Sequence, residues 1–298
     1  MKTINSYSIN IWIILNKLFL NRLPDLLWNN LLAILQAIKH KNSFHFINHK
    51  DPVKMTDYIS HLKFRKENNI SLLALYADKS KVKSKLRGLI PEKCIIPSIF
   101  ELDNPKDLKK HLTNKPLILK LNTGSGKNFI LKKGLNELNV DRIIKYFHTQ
   151  FSVNPSIFSR ELHYSLIQPK IIAEPLIAEN PQDYKIFFFQ GEAKFIQMDT
   201  DRYLDHKRNF YDLDWNLLPI TQIYKNDMRN ISKPSKLKSM IEYGRSIVHK
   251  EQFEFARVDF YQVSNEVFFG EMTFFPGGGI EFYQSKKMDE YIFNLLRG

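Results

Sequence analysis

The stretch 255–279 constrains this chain more than any other. It reads Phe-Ala-Arg257-Val-Asp259-Phe-Tyr, breaks at Ser264-Asn265-Glu266, and resumes as Phe-Phe-Gly-Glu271-Met-Thr273-Phe-Phe-Pro276-Gly277-Gly278-Gly279. Two apolar-rich runs around a short polar break are the signature of an antiparallel hairpin. A three-residue loop of Ser264, Asn265 and Glu266 makes the register symmetric about Asn265, which sets Asp259 opposite Glu271 and Arg257 opposite Thr273. Directly opposed side chains have Cβ atoms about 5 Å apart, and like charges there destabilise the pair. A hard divalent cation such as Mg2+ offsets that repulsion, because it takes one or two carboxylates and completes its shell with water and phosphate oxygens. A solvated polar face is the alternative. Residues two apart share a face. One face is expected to carry Ala256, Val258, Phe260, Phe268, Met272 and Phe274. The charged face is framed by Phe255, Tyr261, Phe269 and Phe275, a setting that favours the metal.

The rest of the chain must supply what such a pair of acids serves. Its 298 residues allow one large domain or two to three smaller ones. With 43% hydrophobic and 25% charged residues it has the composition of a folded globular protein. The single cysteine, Cys94, excludes an intramolecular disulfide and a thiolate metal site. A reducing, cytoplasmic setting is the natural one for it. A net charge of +13 implies an anionic partner, and no nucleic-acid motif accompanies the lysines, so nucleic acid is not expected. Residues 9–20 are apolar but number only twelve and contain Asn16 and Lys17, too short a run to span a membrane. They read as the first helix of a hairpin whose second begins after Pro24-Asp25, packed on the body. A peripheral contact at the inner face of the membrane is the other reading.

Along the chain the first 70 or so residues read as helical, with Thr56 capping a helix to about residue 66. Residues 72–76 read as a short buried strand, and Asp78 as the cap of a basic helix over 79–89. A short helix follows at 104–111, then strands at 116–122 and 128–132 joined by a glycine-rich loop, and a helix over 140–151. Strands follow at 171–177, 184–189 and 193–198, the last two turning at Gln190-Gly191-Glu192, with a loop over 224–236 and a helix over 237–249. This mixture is α+β, without the regular alternation of a doubly wound sheet.

Several motifs carry chemistry. Lys120 is a lone cation in the apolar run Leu117-Ile-Leu-Lys-Leu. A buried charge needs a partner, which a phosphate would provide; a lysine snorkelling from a sheet edge is the alternative. The loop Gly124-Ser125-Gly126-Lys127-Asn128 is not a Walker A loop, because Leu121 stands where its first glycine belongs and Asn128 where its Ser/Thr belongs. It remains either a flexible loop whose N–H groups can turn to phosphate or a simple turn. Asp199-Thr200-Asp201 has the Asp-x-Asp form of a nucleotide-sugar metal site, or of an Asp-rich turn.

Taken in order, these segments resemble the ATP-grasp superfamily, and within it the TupA-like branch associated with bacterial cell-surface polysaccharide synthesis. The residues that carry the likeness are Ala77-Asp78-Lys79, Lys120-Leu-Asn122-Thr-Gly124-Ser-Gly126, Glu174-Pro-Leu-Ile177, Asp183-Tyr-Lys185, Gly191-Glu192, Tyr211-Asp-Leu-Asp-Trp215, Arg257-Val-Asp259 and Gly270-Glu271-Met-Thr273, within about residues 44–281. The resemblance implies an ATP-grasp fold, two α+β subdomains clasping ATP, with a helical region at 1–76, a small subdomain at 77–178 and a large one at 179–298. It implies ATP and Mg2+ as cofactors. Lys79 and Lys120 would hold the ATP phosphates, Gly124, Ser125 and Gly126 would close over them, Glu174 and Ile177 would form the hinge at adenine and ribose, and Lys185 would also bind the cofactor. Asp259, Glu271 and Thr273 would bind metal, with Arg257, Lys120 and Lys185 catalytic and Gly277-Gly278-Gly279 facing the transferred group. The implied activity is a carboxylate–amine ligase acting through an acyl phosphate, joining an amino acid to a uronic acid or amino sugar. Thr273 departs from the pattern, since many members carry Asn there. A glycosyltransferase using Asp199 and Asp201 is the alternative function, and a non-catalytic basic module that docks an anionic polymer or membrane is a third.

Overall fold

In this computed structural model residues 23–124, 126, 128–153, 156, 159–201 and 205–298 are described. The apolar stretch 9–20 lies outside them. The described chain divides into two compact units, one of residues 23–68 with Gln182–Gly298 and one of Asn69–Pro181. The N-terminal helices therefore belong to the same unit as the C-terminal sheet.

The unit Asn69–Pro181 opens on a helix. Helix α3 (Ile70–Ala77) occupies the segment expected to be a strand. Asn69 caps it, accepting from Leu72 N, and Leu73, Ala74, Tyr76 and Ala77 are buried at three-to-four spacing. Short apolar runs do not distinguish strand from buried helix by periodicity, and here the asparagine cap and the Leu/Ala content decide. Asp78 then accepts from Ser80 N and Lys81 N ahead of α4 (Val82–Leu86), a helix shorter than the sequence suggested. Strands β1 (Phe100–Leu102), β2 (Leu117–Leu121), β3 (Asn128–Leu131) and β4 (Ile171–Pro175) form an antiparallel sheet in the order β1-β4-β2-β3. Helix α5 (Glu137–Phe151) begins three residues before the expected 140, because Asn136 and Asn139 form a reciprocal capping box. One sheet face, with Leu117, Leu119, Leu121, Leu131, Ile171 and Ala173, packs against Val140, Ile143 and Phe147 of α5. Each such fully buried side chain contributes roughly 1.5–3 kcal/mol. Alternation puts Ile118, Lys120, Ile172 and Glu174 on the opposite face.

The other unit is built from α1 (Asp25–His40), α2 (Met55–Phe64), β5 (Gln182–Phe189), β6 (Glu192–Thr200), β7 (Lys207–Tyr211), α6 (Leu237–Lys250), β8 (Phe255–Val263), β9 (Glu266–Thr273) and α7 (Lys286–Arg297). Its five strands pair antiparallel in the order β7-β6-β5-β8-β9. The expected turn at Gln190-Gly191-Glu192 joins β5 to β6, and Gly191 has φ +83° with His249 so close that a Cβ would lie 2.5 Å from its ring. One sheet face is apolar, with Tyr184, Ile186, Phe188, Ile196, Met198, Val258 and Phe260 all buried. Gly244 of α6 lets the Phe188 ring approach that helix, since a Cβ there would sit 2.3 Å from it.

The opposite face has two zones. At one end Phe187, Phe189, Phe195 and Phe255 are aromatic, and Tyr58 of α2 meets Phe189, Phe255 and Phe293 of α7. At the other end Asp183, Lys185, Asp199, Arg208, Arg257, Asp259 and Glu271 share the surface. Thr56 does not cap α2 as expected. It lies within the first turn, and Asp289 of α7 accepts from its backbone N at 3.1 Å and its hydroxyl at 2.6 Å. Helix α1 buries Asn29 and Asn30, bonded to Ser60 and Ile47, together with Trp28, Ala33 and Ala37, whereas Leu27, Leu31, Leu35 and Ile38 are exposed.

Candidate functional site

The hairpin delivers the expected register by an unexpected route. Arg257 pairs with Thr273 and Asp259 with Glu271, but Val263 pairs with Glu266, so the loop has two residues, not three. The register then shifts by one between Asp259 and Phe260, which leaves Gly270 as a bulge and restores the pairing. A one-residue shift exchanges faces. Phe269 is accordingly buried against Phe260, and Phe268 stands beside Tyr261, the reverse of the expected assignment.

Asp259 is the hub of the charged zone. Its Oδ1 accepts from Arg257 Nε at 2.7 Å, and its Oδ2 from Arg257 Nη2 at 2.8 Å and Lys185 Nζ at 2.9 Å. Arg257 Nη2 also donates to Thr273 Oγ1 at 3.0 Å and lies 3.6 Å from Glu271 Oε1. Lys185 is paired on its other side with Asp183 at 2.5 Å. Burial opposes the charge on Lys185, yet Asp183 and Asp259 outweigh it and hold its pKa above the usual lysine value. Burial likewise opposes Arg257, and Asp259 and Glu271 overcome it to raise its pKa.

The row extends further than the sequence suggested. Asp183 is directly opposite Asp199 across β5 and β6, a second facing pair of acids, and Asp199 is opposite Arg208 across β6 and β7. Arg208 grips both Asp199 oxygens, at 2.7 and 3.3 Å, and also reaches Gln222 and Glu281. Burial works against the Asp199 carboxylate, but Arg208, His206 and Lys185 together outweigh it and hold the pKa well below the usual value. Counting back from the Gln190-Gly191 turn alone would set Asp183 opposite Met198; the register shift between Phe187 and Phe188 is what brings the two acids together. Of the Asp-x-Asp pair, Asp199 is held by Arg208 and Asp201 by Arg229.

Among the described groups of this row, Asp183, Asp199, Asp259, Glu271 and Glu281 outnumber Lys185, Arg208 and Arg257, which suits a further cation. The donor set fits a hard divalent ion in kind, with Asp259 and Glu271 as the oxygen ligands and the remaining positions left to water and phosphate. Among the described residues no cluster of three or more His, Cys, Asp or Glu side chains is placed to hold a metal without such help. Thr273 accepts from Arg257 and so orients it.

The unit Asn69–Pro181 holds the other predicted groups. On the sheet face away from α5, Lys120 Nζ meets Glu174 Oε2 at 2.5 Å, and Lys83 Nζ meets Glu174 Oε1 at 2.6 Å. Lys120 is thus a half-buried cation with a partner, and not a snorkelling one. Burial lowers its pKa despite the neighbouring Glu174 carboxylate. Lys83 escaped the sequence reading, and its one signal was its place four residues after Lys79 in a basic run. Pro175 ends β4, so Ile177 lies beyond the strand and is half-buried. Lys79 Nζ donates to the Gly124 carbonyl at 2.5 Å, tethering the glycine loop. Buried Asn122 fixes that loop's base by bonding Asp78, Gln168 and Lys170. Gly124 and Gly126 have φ +68° and +73°, with open space around both. Ser125 lies outside the described residues.

Two antiparallel sheets with interspersed helices, one presenting a lysine beside a glycine-rich hairpin and the other an Arg-x-Asp opposite Glu-x-Thr, define an ATP-grasp protein. The chain belongs to the TupA-like ATPgrasp family, whose model it matches over residues 57–296. Similar solved structures include the ATP-grasp ligase PsnB with minimal precursor, Mg and ADP, at 10% identity and TM-score 0.39, covering 66% of this chain and 50% of that one. D-alanine–D-alanine ligase from Helicobacter pylori is similar at 14% identity and TM-score 0.42, covering 75% and 58%. The Bacillus anthracis enzyme complexed with ATP is similar at 17% and 0.39, covering 75% and 67%. The chain spans about half the length of PsnB. Comparison with curated proteins gave no match.

Proposed function

We propose that this protein is an ATP- and Mg2+-dependent carboxylate–amine ligase that activates a carboxylate as its acyl phosphate and forms an amide, releasing ADP and phosphate. The observation that carries the reading is the facing pair Asp259 and Glu271 with Arg257 between them, in a chain of the TupA-like ATPgrasp family. We assign the small subdomain to 77–178 and the large one to 179–298, with the helical region ahead of them.

Asp259 and Glu271 would hold Mg2+, which when bound neutralises phosphate charge and aligns the transferred phosphoryl group. Lys120 and Lys79 would bind phosphate oxygens, with Glu174 keeping Lys120 charged in its half-buried position. Gly124, Ser125 and Gly126 would close over the phosphates and exclude water. Lys185 positions Asp259 through their 2.9 Å contact. Arg257, oriented by Thr273, would stabilise the oxyanion charge that develops on the substrate. Glu174, with Ile177 past the strand end, is the expected hinge, and its two lysine partners add the role of counter-ion to the phosphate-binding cations.

The family likeness supports an amino acid and a uronic acid or amino sugar of a bacterial surface polysaccharide as substrates, and the +13 charge suits an acidic polymer. The lone cysteine supports a cytoplasmic setting. The exposed stripe Leu27, Leu31, Leu35 and Ile38, followed by Lys39 and Lys41, supports a peripheral contact with an anionic bilayer, and sedimentation with phosphatidylglycerol vesicles tests it. Among the described residues no helix is long and apolar enough to cross a membrane. Incubation with ATP, Mg2+ and candidate amino acids and uronic acids should release ADP; turnover unaffected by Asp259→Asn or Lys120→Ala would sink the reading.

A further inference from the structure

The turn Pro276–Gly279 has three consecutive glycines in left-handed conformation, with φ of +59°, +61° and +69°. Glycine takes such angles without strain but loses the most conformational freedom on being ordered. Two backbone bonds close the turn, Gly278 N donating to the Phe275 carbonyl at 2.8 Å and Ile280 N to the Gly277 carbonyl at 3.2 Å, and the carbonyls of Gly278 and Gly279 are held from outside it. Lys63 of α2, only 4% exposed, donates from Nζ to the Gly278 carbonyl at 2.5 Å and to Asn29 Oδ1 at 2.6 Å. One turn earlier on the same helix, Ser60 Oγ donates to the Gly279 carbonyl at 3.2 Å and accepts from Asn29 Nδ2 at 3.0 Å. Two successive carbonyls of the turn are therefore fixed by α2, and Asn29 of α1 braces both donors. The buried face of α1 thus carries, beside Trp28, Ala33 and Ala37, the asparagine that the brace requires.

A peptide unit is planar and trans, so its N–H points opposite to its C=O. Holding the Gly278 carbonyl against Lys63 thus turns the Gly279 N–H to the other side. A cation is a stronger donor to that carbonyl than a neutral group and does not rotate away when buried and doubly bonded.

We propose that Lys63 is a positioning residue, whose buried ammonium sets the peptide planes of the Gly277-Gly278-Gly279 turn. The inference deepens the ligase reading, because it rests on that turn facing the transferred group. Amide exchange in the full-length protein, read at residues 276–281, measures the brace without any substrate. Lys63→Met should speed exchange there by about tenfold and leave residues 137–151 unchanged, with Lys63→Arg restoring part of the protection. In ADP release from Mg2+-ATP the same variant should lower kcat roughly tenfold with KM for ATP nearly unchanged. Unchanged exchange at 276–281, or a rise in KM with kcat intact, overturns the proposal. If Lys63→Met does not fold, Ser60→Ala removes one of the two carbonyl bonds, and it must loosen the same amides or the proposal fails. A wild type that neither binds nor hydrolyses ATP would overturn the ligase reading while the exchange test of the brace still stands.

Discussion

Asp259 faces Glu271 across the β8–β9 ladder, and Arg257 lies against both, 2.7 Å from one carboxylate and 3.6 Å from the other. The repulsion between the two acids is thus offset by the protein's own cations, and a metal ion at this position would take over the role that Arg257 and Lys185 share in the free protein.

Asp259→Asn removes the hub and leaves Arg257 and Lys185 buried beside a neutral amide. Breaking a buried ion pair by removing one partner costs ~3–5 kcal/mol, softened here because the amide oxygen still accepts a hydrogen bond. A fall in the melting temperature and a loss of ADP release of at least a hundredfold are expected, measured by calorimetry and a coupled ADP assay.

Glu174→Gln strips the shared partner from Lys120 and Lys83. The free protein should melt lower, by an amount on the order of 3 kcal/mol. Phosphate would then be the only strong anion at Lys120, so the melting shift caused by Mg2+-ATP should grow. A smaller shift would instead give Glu174 the hinge role alone.

Gly270→Ala tests the bulge. A Cβ at Gly270 would sit 3.0 Å from the Asp259 carbonyl, and relieving that contact means shifting the strand that carries Glu271. The expected cost is about 1–3 kcal/mol in urea unfolding, with activity reduced more than in a control substitution at exposed Glu266.

Asp289 gives a pH dependence. Its burial raises its pKa to about 6, against the two hydrogen bonds from Thr56 that pull it down, in a pocket shared with His45, Asp57 and Tyr283. The folded state therefore binds the proton more tightly than the unfolded state. The stabilisation is full below about pH 4 and is lost as pH rises through 6, on the order of 3 kcal/mol in all. Asp289→Asn should flatten the stability profile across that window in denaturant titrations.

How much of this was legible in the sequence varies by residue. The facing of Asp259 and Glu271 could be read because strand alternation is strict, yet the loop is one residue shorter than assumed and Gly270 adds one back. The pairing survived that double difference; the assignment of Phe268 and Phe269 to faces did not. The strand expected at 72–76 became α3 because capping by Asn69 is a local contact that an apolar count overlooks. Lys120 stood out as a lone charge among apolar residues, whereas Lys83 did not, since a lysine in a basic run carries no sign of the buried Glu174 it pairs with. The burial of Asn29 and Asn30 was invisible, because their partners Ser60, Lys63 and Ile47 lie elsewhere in the chain.

The central claim, that Asp259 and Glu271 serve a Mg2+-dependent ATP site, is tested most directly by melting the wild type and Asp259→Asn with and without ligand. Ligand binding to the folded state raises stability by RT ln(1 + [L]/Kd). The account requires Mg2+-ATP to raise the wild-type melting temperature by several degrees, EDTA to abolish most of that shift, and Asp259→Asn to show little of it. No shift with Mg2+-ATP, together with stabilisation by a UDP-sugar and Mn2+, would contradict it.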